Sequence, residues 1–235
     1  MMMVYFGSVI NMDGYLERSQ YFTSDDWLNL WREGSTPWDL EGSHSHSAKL
    51  WQFWQEVSQQ KPDGLSVVMP GAGRAHDAEI FLSAGCQVTA LDLSAEAAHD
   101  ATSKYEVFYH QGLFDYRVGD MFALDLKESA DLIFDRAVLC AFHRDLREQY
   151  RDFCCQCLKV GGWFLSLPFS REESTSPQDD HEKLQPPYFL SASEIFTLMS
   201  EHFHLIMMEA IPSQADNSLP FQSSESMMIW QKISP

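Results

Sequence analysis

The chain of 235 residues is 45% apolar and 13% aromatic, so it can bury one sizeable core, and its length suits a single α/β domain. Its net charge of −18 disfavours nucleic acid and anionic membranes as partners, because lysine and arginine provide most of the attraction to phosphate groups. The five cysteines show no paired metal spacing, and no apolar run approaches the roughly 20 residues that span a membrane, so we expect a cytoplasmic monomer that is neither exported nor membrane-bound.

The first 60 residues are predicted to contain a tail and two helices. Residues 1–20 show no clear hydrophobic period, and we expect a mobile tail there. A helix is predicted to begin at Thr23 or Ser24, because either hydroxyl can cap it and two aspartates follow in its first turn. A second, amphipathic helix is predicted over 50–57. Together, residues 21–60 are predicted to form an N-terminal helical lid.

Three tryptophans lie within residues 21–40, in and just after the first predicted helix. Trp27 and Trp31 are four residues apart and share one face of the first predicted helix, while Trp38 lies in the loop that follows it. Core packing is the ordinary explanation of such a helical pair, but a core tryptophan is less expected in a loop. The set therefore favours a binding wall, and we predict that residues 12–39 fold over a ligand as a lid.

His44 and His46 are the candidates for a metal site. They are two residues apart with no third ligand nearby, so a solvated loop is the simpler interpretation. We therefore expect no metal.

The centre of the chain has the pattern of a nucleotide-binding βαβ unit. A short apolar run over 65–69 predicts a buried strand, the glycine-containing segment 70–73 a tight turn, and 76–83 a helix. A second apolar run over 88–91 then delivers Asp92 to the end of the next strand.

The glycines and the acid of this unit suit a cofactor that carries a ribose. Gly71 and Gly73 lack a Cβ, so the backbone can approach a ligand closely and adopt positive φ angles. A carboxylate at the position of Asp92 can accept hydrogen bonds from both ribose hydroxyls. Dinucleotides and S-adenosylmethionine both bind to such units, and the glycines alone do not distinguish them.

The sequence from Ser94 to Met121 predicts one clear helix and one short strand, and it leaves the segment between them open. Ser94 caps a helix that ends near Tyr105, whereas 106–115 fits either the end of a helix or a loop. A short strand over 116–118 leads to Asp120 and Met121, where an adenine amine would face a carboxylate. An ordinary turn explains the same residues equally well.

The C-terminal half supplies the remaining strands and helices. A strand over 130–136 ends in Asp135 and Arg136, and ligands bind at strand ends in open parallel sheets. The later predicted elements are a helix over 146–158 that stops at Gly161 and Gly162, a strand over 163–167, an exposed loop over 170–185, a helix over 193–202, and closing strands over 203–208 and 227–231.

The combined motifs resemble one family. They are the tryptophan pair, a Thr-Pro-Trp-Asp loop, Pro-Gly-Ala-Gly with His-Asp, Leu-Asp-Leu-Ser, Gly-Asp-Met-Phe and Phe-Asp-Arg-Ala. In this order they resemble the thiopurine S-methyltransferase superfamily, which includes the halide and thiol methyltransferases, from Trp27 to Phe203. The resemblance implies a Rossmann-like class I methyltransferase fold in the α/β class, with a seven-stranded, mostly parallel sheet flanked by helices and S-adenosylmethionine at the strand carboxyl ends.

The resemblance also implies a set of cofactor-binding residues and no certain catalytic residue. The implied contacts are Trp27, Trp31, Trp38, Gly71, Asp92, Asp120, Met121 and Arg136. Two residues depart from the wider methyltransferase loop, since Met69 replaces the common acid and Ala75 the third glycine.

The expected reaction is methyl transfer from S-adenosylmethionine to a small thiol or thiopurine-like acceptor, leaving S-adenosylhomocysteine. No nucleophilic side chain is needed, because a soft thiolate is itself the nucleophile. Arg136 is a candidate for stabilising that anion, and the alternative is an ion pair with Asp135 or another nearby acid. His143 fits a surface histidine at a helix terminus better than a proton acceptor.

Other functions stay open on the sequence alone. Asp135 and Arg136 resemble the thiopurine branch, whereas Thr-Pro-Trp-Asp and Cys140 with Ala141 resemble the halide and thiol branch. Halide, hydrosulfide, oxygen and nitrogen acceptors are therefore alternatives. A nicotinamide oxidoreductase and a non-catalytic cofactor-binding protein are the rival classes.

Overall fold

A computed structural model describes residues 22–170, 185–211 and 224–233, together with the backbone of two short strands at 8–10 and 16–18. The strands are β1 (Ser8–Ile10), β2 (Leu16–Arg18), β3 (Ser66–Met69), β4 (Gln87–Asp92), β5 (Phe114–Val118), β6 (Ala130–Arg136), β7 (Leu158–Leu167), β8 (Phe169–Ser170), β9 (Phe203–Ile211) and β10 (Ser224–Lys232). The helices are α1 (Ser24–Arg32), α2 (Ser47–Ser58), α3 (Ala78–Ser83), α4 (Ala95–Lys104), α5 (Glu106–His110), α6 (Arg147–Cys157) and α7 (Ala192–Met199). Within the described residues, none of these helices is both long and apolar enough to cross a membrane.

The main sheet has the order β5-β4-β3-β6-β7-β10, with β9 on the far side of β10. The strands from β5 to β7 are parallel, and β10 runs antiparallel to both of its neighbours. This arrangement confirms the predicted Rossmann-like class. The sheet has eight strands rather than seven, because the two-residue β8 pairs with β10 in the same register as β7.

Two apolar clusters cover the faces of this sheet. One contains Trp51 and Trp54 of α2 together with Phe81 of α3, and the other contains Tyr150 of α6 and Trp230 of β10. The central strands are buried on both faces, as expected for parallel strands between helical layers. The sheet therefore fixes the positions of the carboxyl ends of β3, β4, β5 and β6, which lie at one edge.

Several predicted boundaries are wrong. Helix α3 begins at Ala78 rather than at residue 76, because the preceding turn continues through Ala75, which has a φ of 51°. The open segment 106–115 contains α5, and β5 begins at Phe114. Helix α7 begins at Ala192, where Ser191 and Glu194 form a capping box.

Gly161 and Gly162 do not end α6, although the sequence predicted that they would. Helix α6 ends at Cys157, and β7 begins at the next residue. The register between β6 and β7 shifts in this stretch, and a Cβ on Gly162 would lie 2.9 Å from the carbonyl oxygen of Lys159. Gly162 therefore permits a strand irregularity rather than a helix stop.

Two further predictions concern the N-terminal tail and the loop over 170–185. Strands β1 and β2 pair antiparallel within residues 1–20, which were predicted to form a mobile tail. Most of the predicted loop over 170–185 lies outside the described residues.

Candidate active site

The glycine turn after β3 contacts the turn after β6. Gly71 and Gly73 have φ angles of 54° and 52°, in the left-handed region that favours glycine. A Cβ on Gly71 would lie 3.0 Å from a methyl carbon of Val138. Gly71 therefore allows the two turns to approach each other closely at the carboxyl edge of the sheet.

Asp92 binds the glycine turn directly. Its Oδ2 accepts a hydrogen bond from the Gly73 N–H (2.9 Å), and its Oδ1 accepts one from the Ser94 N–H (3.0 Å). Burial raises the pKa of this carboxyl, and the backbone N–H donors only partly offset the rise. Each carboxylate oxygen has a further lone pair, so the half-buried group can still accept hydrogen bonds from a diol.

The three predicted tryptophans lie together, with Trp38 in the middle. Its ring is 5.0 Å from that of Trp27 and 6.0 Å from that of Trp31, both in edge-to-face geometry. Trp31 is only 6% exposed, and its ring would lie 3.6 Å from a Cβ on Gly73. The aromatic cluster therefore packs against the glycine turn and is partly buried as well.

A charged group next to the glycine turn was not predicted from the sequence. Arg74 forms an ion pair with Asp39, which follows Trp38, and Asp39 Oδ1 also accepts a hydrogen bond from His76 Nε2 at 2.9 Å. Burial alone would raise the pKa of Asp39, but the contacts with Arg74, Glu41 and His76 outweigh it and lower that pKa. A lone arginine and a lone aspartate separated by 35 positions carry no local signal of pairing.

Arg136 is also bound to the tryptophan loop. Its Nη2 donates to the carbonyl oxygen of Trp38 (2.9 Å), and its Nε lies 3.5 Å from Asp77 Oδ2. Asp77 is 4% exposed and also accepts a hydrogen bond from the His44 N–H (2.9 Å). The acid that pairs with Arg136 is therefore Asp77.

Asp135 has a separate, buried environment. Its carboxylate accepts hydrogen bonds from the Tyr150 hydroxyl (2.8 Å) and the Val138 N–H (2.9 Å). The side chain is fully buried, and this burial raises its pKa to about 6. Asp135 therefore holds the turn that packs against Gly71.

Asp120 and Met121 follow the end of β5, and the residue before them, Gly119, is hydrogen-bonded to Asp92. The Gly119 N–H donates to the carbonyl oxygen of Asp92 (2.9 Å), and Asp120 Oδ1 accepts a hydrogen bond from the Phe122 N–H (3.0 Å). The side chain of Met121 packs against the apolar cluster that contains Tyr150. The carboxylate thus caps a turn here, as in the simpler interpretation.

His143 lies at the beginning of a short turn. Its ring is perpendicular to that of Tyr188 at 5.4 Å, and the Asp145 N–H donates to its Nδ1. Tyr188 in turn donates its N–H to the carbonyl oxygen of Cys140 (2.7 Å). The segment near residue 188 is therefore attached to the turn after β6.

His44 and His46 contact an acid and each other rather than forming a metal site. His44 Nε2 lies 3.2 Å from Glu225 Oε2, and the ring of His46 is 5.6 Å from that of His44. Across the described ranges, no group of three or more histidine, cysteine or acidic side chains has a geometry that could hold a metal ion.

The sequence of this chain matches a family of methyltransferases. A family model described as Thiopurine S-methyltransferase matches residues 22–231. A probable thiol methyltransferase 2 of Arabidopsis thaliana is 30% identical and covers 90% of this chain and 87% of its own. Thiocyanate methyltransferase 1 of Brassica oleracea is 27% identical, with 88% and 84% coverage. A thiopurine S-methyltransferase of Legionella pneumophila (strain Corby) is 27% identical, with 77% and 80% coverage.

Solved structures share the fold at lower sequence identity. A Burkholderia thailandensis 1,6-didemethyltoxoflavin-N1-methyltransferase with bound 1,6-didemethyltoxoflavin and S-adenosylhomocysteine gives a TM-score of 0.69 at 18% identity, covering 90% of this chain and 87% of its own. A putative methyltransferase from Bacillus halodurans C-125 gives 0.62 at 18% identity, covering 81% and 100%.

Proposed function

We propose that this chain, which belongs to the thiopurine S-methyltransferase family, transfers a methyl group from S-adenosylmethionine to the sulfur of a small thiol. It is an S-adenosylmethionine-dependent methyltransferase, as the sequence predicted. The observation that carries the proposal is the family match over residues 22–231.

The residues at the carboxyl edge fit the cofactor. Asp92 has lone pairs for ribose hydroxyls, and the neighbouring Gly73 adopts a positive φ of 52° that places its N–H on Asp92. Trp27 and Trp38 offer partly exposed aromatic faces, which attract a sulfonium cation. When bound, the cofactor supplies an activated methyl group.

The chain's own contribution to the reaction is alignment and exclusion of water. A thiolate acceptor is itself the nucleophile, so the protein needs to place its sulfur in line with the methyl group and keep the site dry. The tryptophan cluster and the segment around Tyr188 are the groups that would enclose the acceptor. Asp92 contributes a carboxylate held by backbone N–H groups, which favours a cation, whereas Arg74 and Arg136 balance the charges of Asp39 and Asp77.

The acceptor assignment to a thiol is supported by the names of the relatives. The Arabidopsis thaliana relative is called a thiol methyltransferase, and the Brassica oleracea relative a thiocyanate methyltransferase. Both acceptors present a soft sulfur atom. A small sulfur anion such as thiocyanate is therefore the second candidate.

The test is an acceptor screen with the purified chain and S-adenosylmethionine. Thiophenol, a thiopurine, thiocyanate, a phenol and an amine are offered in parallel, and methylated products are identified by mass spectrometry. We expect S-methyl products from the thiols. Transfer to the phenol or amine without transfer to any sulfur acceptor would contradict the proposal.

The cofactor site is tested with Asp92→Ala. This change leaves two ribose hydroxyls without a charged acceptor, which costs about 1.5–3 kcal/mol. The affinity for S-adenosylhomocysteine, measured by calorimetry, should fall about tenfold or more. Asp115→Ala is a matched control, because Asp115 lies on the exposed side of β5 and pairs with Arg117. An unchanged dissociation constant in folded Asp92→Ala would remove Asp92 from the site.

A further inference from the structure

Arg74 joins three parts of the chain that are distant in sequence. Its guanidinium forms an ion pair with Asp39 in the loop after α1, and its Nε donates to Asp100 Oδ2 of α4 at 2.8 Å. Its Nη2 lies 3.7 Å from Glu96 Oε1, and its Cζ lies 5.1 Å from the ring of Trp31. Arg74 itself follows Gly73, so these contacts meet at the glycine turn.

The chemistry of the guanidinium suits this position. A planar fork can hold two carboxylates on different sides while its face lies against an aromatic ring, whereas an ammonium group is a single point charge. The side chain of Asp39 is 8% exposed and that of Arg74 is 27% exposed. The pair is therefore better shielded from water than a surface ion pair, which usually contributes little.

The loop that Arg74 holds carries the central tryptophan of the site. Asp39 is the neighbour of Trp38, whose ring touches those of Trp27 and Trp31. His76 binds the other carboxylate oxygen of Asp39, and Arg136 binds the carbonyl oxygen of Trp38. Side chains of the glycine turn therefore attach the Trp31–Trp38 wall, which we define as residues 31–39, through Asp39.

We propose that Arg74 is a positioning residue that fixes the Trp31–Trp38 wall against the glycine turn and so assembles the cofactor site before the cofactor binds. This inference rests on the proposed function, because the site that Arg74 assembles is the proposed S-adenosylmethionine site. A pre-formed site loses less conformational entropy on binding. Loss of Arg74 should therefore weaken cofactor binding by freeing the wall from the glycine turn.

A purely structural ion pair gives a different pattern of results. Two aspartates bind the same arginine, Asp39 beside the tryptophan wall and Asp100 on α4. If Arg74 only stabilises the fold, Asp39→Asn and Asp100→Asn should lower the melting temperature and leave cofactor affinity alone. If Arg74 positions the wall, Asp39→Asn should weaken the affinity much more than Asp100→Asn.

The experiment measures the dissociation constant of S-adenosylhomocysteine and the melting temperature for Arg74→Gln, Arg74→Lys, Asp39→Asn, Asp100→Asn and the Arg74→Gln/Asp39→Asn double variant. We expect Arg74→Gln and Asp39→Asn each to raise the dissociation constant about tenfold. The dissociation constant of the double variant should exceed that of either single variant by no more than about twofold, because both substitutions remove the same contact. Arg74→Lys should recover only part of the affinity.

The proposal is overturned if folded Arg74→Gln binds within twofold of wild type, if the two single effects multiply in the double variant, or if Asp100→Asn weakens binding as much as Asp39→Asn. Should Arg74→Gln fail to fold, the isosteric Asp39→Asn decides alone, and wild-type affinity in that variant overturns the proposal. Asp92→Ala separates the two hypotheses. If it too keeps wild-type affinity, the cofactor site is wrongly assigned. If it loses affinity and the Arg74 set does not, only the positioning role is wrong.

Discussion

Arg136 Nη2 donates a hydrogen bond to the carbonyl oxygen of Trp38 at 2.9 Å, across 98 positions of the chain. The same guanidinium lies 3.5 Å from the buried carboxylate of Asp77, which also holds the backbone of His44. These contacts tie the end of β6 to the N-terminal tryptophan loop. An arginine held in this way is well placed to shape the proposed cofactor site, whatever the acceptor.

Arg136→Gln should therefore reduce turnover of every acceptor by a similar factor. The change leaves Asp77 buried without its charged partner and frees the loop at Trp38, and the loss of a hydrogen bond to a charged group costs about 1.5–3 kcal/mol. We expect the affinity for S-adenosylhomocysteine to fall about tenfold, with kcat/KM for thiophenol and for thiocyanate falling together.

The comparison of the two acceptors distinguishes this role from the one considered at the sequence level. If Arg136 instead stabilised an acidic aromatic thiolate, Arg136→Gln would lose activity on thiophenol far more than on thiocyanate. Such a selective loss, with cofactor affinity unchanged, would assign Arg136 to the acceptor instead.

The sequence predicted the βαβ unit well because its signals are local. The apolar runs, the glycines and Asp92 lie within one stretch, and the contact between Gly73 and Asp92 follows from the ordinary geometry of that unit. The role of Arg74 could not be predicted, since its partners Asp39 and Asp100 are single charges on either side of it in the chain. Only the folded sheet brings them together.

Gly162 shows a second limit of local patterns. Two consecutive glycines after an amphipathic helix usually indicate a helix end. Here α6 has already ended at Cys157, and Gly162 lies where a Cβ would meet backbone oxygens of Lys159 and Asp131 at 2.9 Å and 3.2 Å. The glycine is required by the irregular backbone of its own strand at Lys159 and by the neighbouring β6 at Asp131, and the contact with β6 is not visible in the local sequence.

Gly71→Ala should both destabilise the protein and weaken cofactor binding. The alanine would have a φ near 54° and a Cβ 3.0 Å from a methyl carbon of Val138, so backbone strain and overpacking add together. We expect a loss of about 2–4 kcal/mol in the free energy of unfolding, measured by urea denaturation.

Gly112→Ala provides the matched control for this change. Gly112 has a φ of 72°, but a Cβ there would meet no atom within 4 Å, so only the backbone strain of about 1 kcal/mol applies. Val138→Ala should recover part of the stability of Gly71→Ala by removing the clash. Equal losses in Gly71→Ala and Gly112→Ala would show that the close approach of the two turns is unimportant.

Ligand-induced ordering should be uneven across the N-terminal region. The sequence predicted a lid over 12–39, whereas the structure attaches Trp38 and Asp39 through Arg136, Arg74 and His76. We therefore expect S-adenosylhomocysteine to slow amide hydrogen exchange more in the α1 peptides that contain Trp27 than in those spanning 38–46. Uniform slowing over both peptides would contradict a wall that is fixed in advance.

Asp135 should make the stability of the fold depend on pH in a defined direction. Burial raises its pKa from 3.8 to about 6, so between these values the folded protein binds a proton that the unfolded chain has lost. The free energy of unfolding therefore receives a contribution from Asp135 that is fully present below about pH 4 and decreases as the pH rises to about 6. The contribution that disappears is on the order of 1–3 kcal/mol.

The measurement compares urea denaturation of wild type and Asp135→Asn from pH 4.5 to 7.5, because the variant keeps the shape but cannot titrate. Tyr150 and Cys140 lie near Asp135, and burial raises the pKa of both, to about 12 for Cys140, so neither changes charge in this range. Contributions from the rest of the chain are common to both proteins and cancel in the difference. We expect the stability of wild type relative to the variant to decrease as the pH rises to about 6 and to level off above it. A difference that is constant with pH, or that increases with it, would mean that Asp135 is ionised throughout and stabilised by its hydrogen bonds from Tyr150 and Val138.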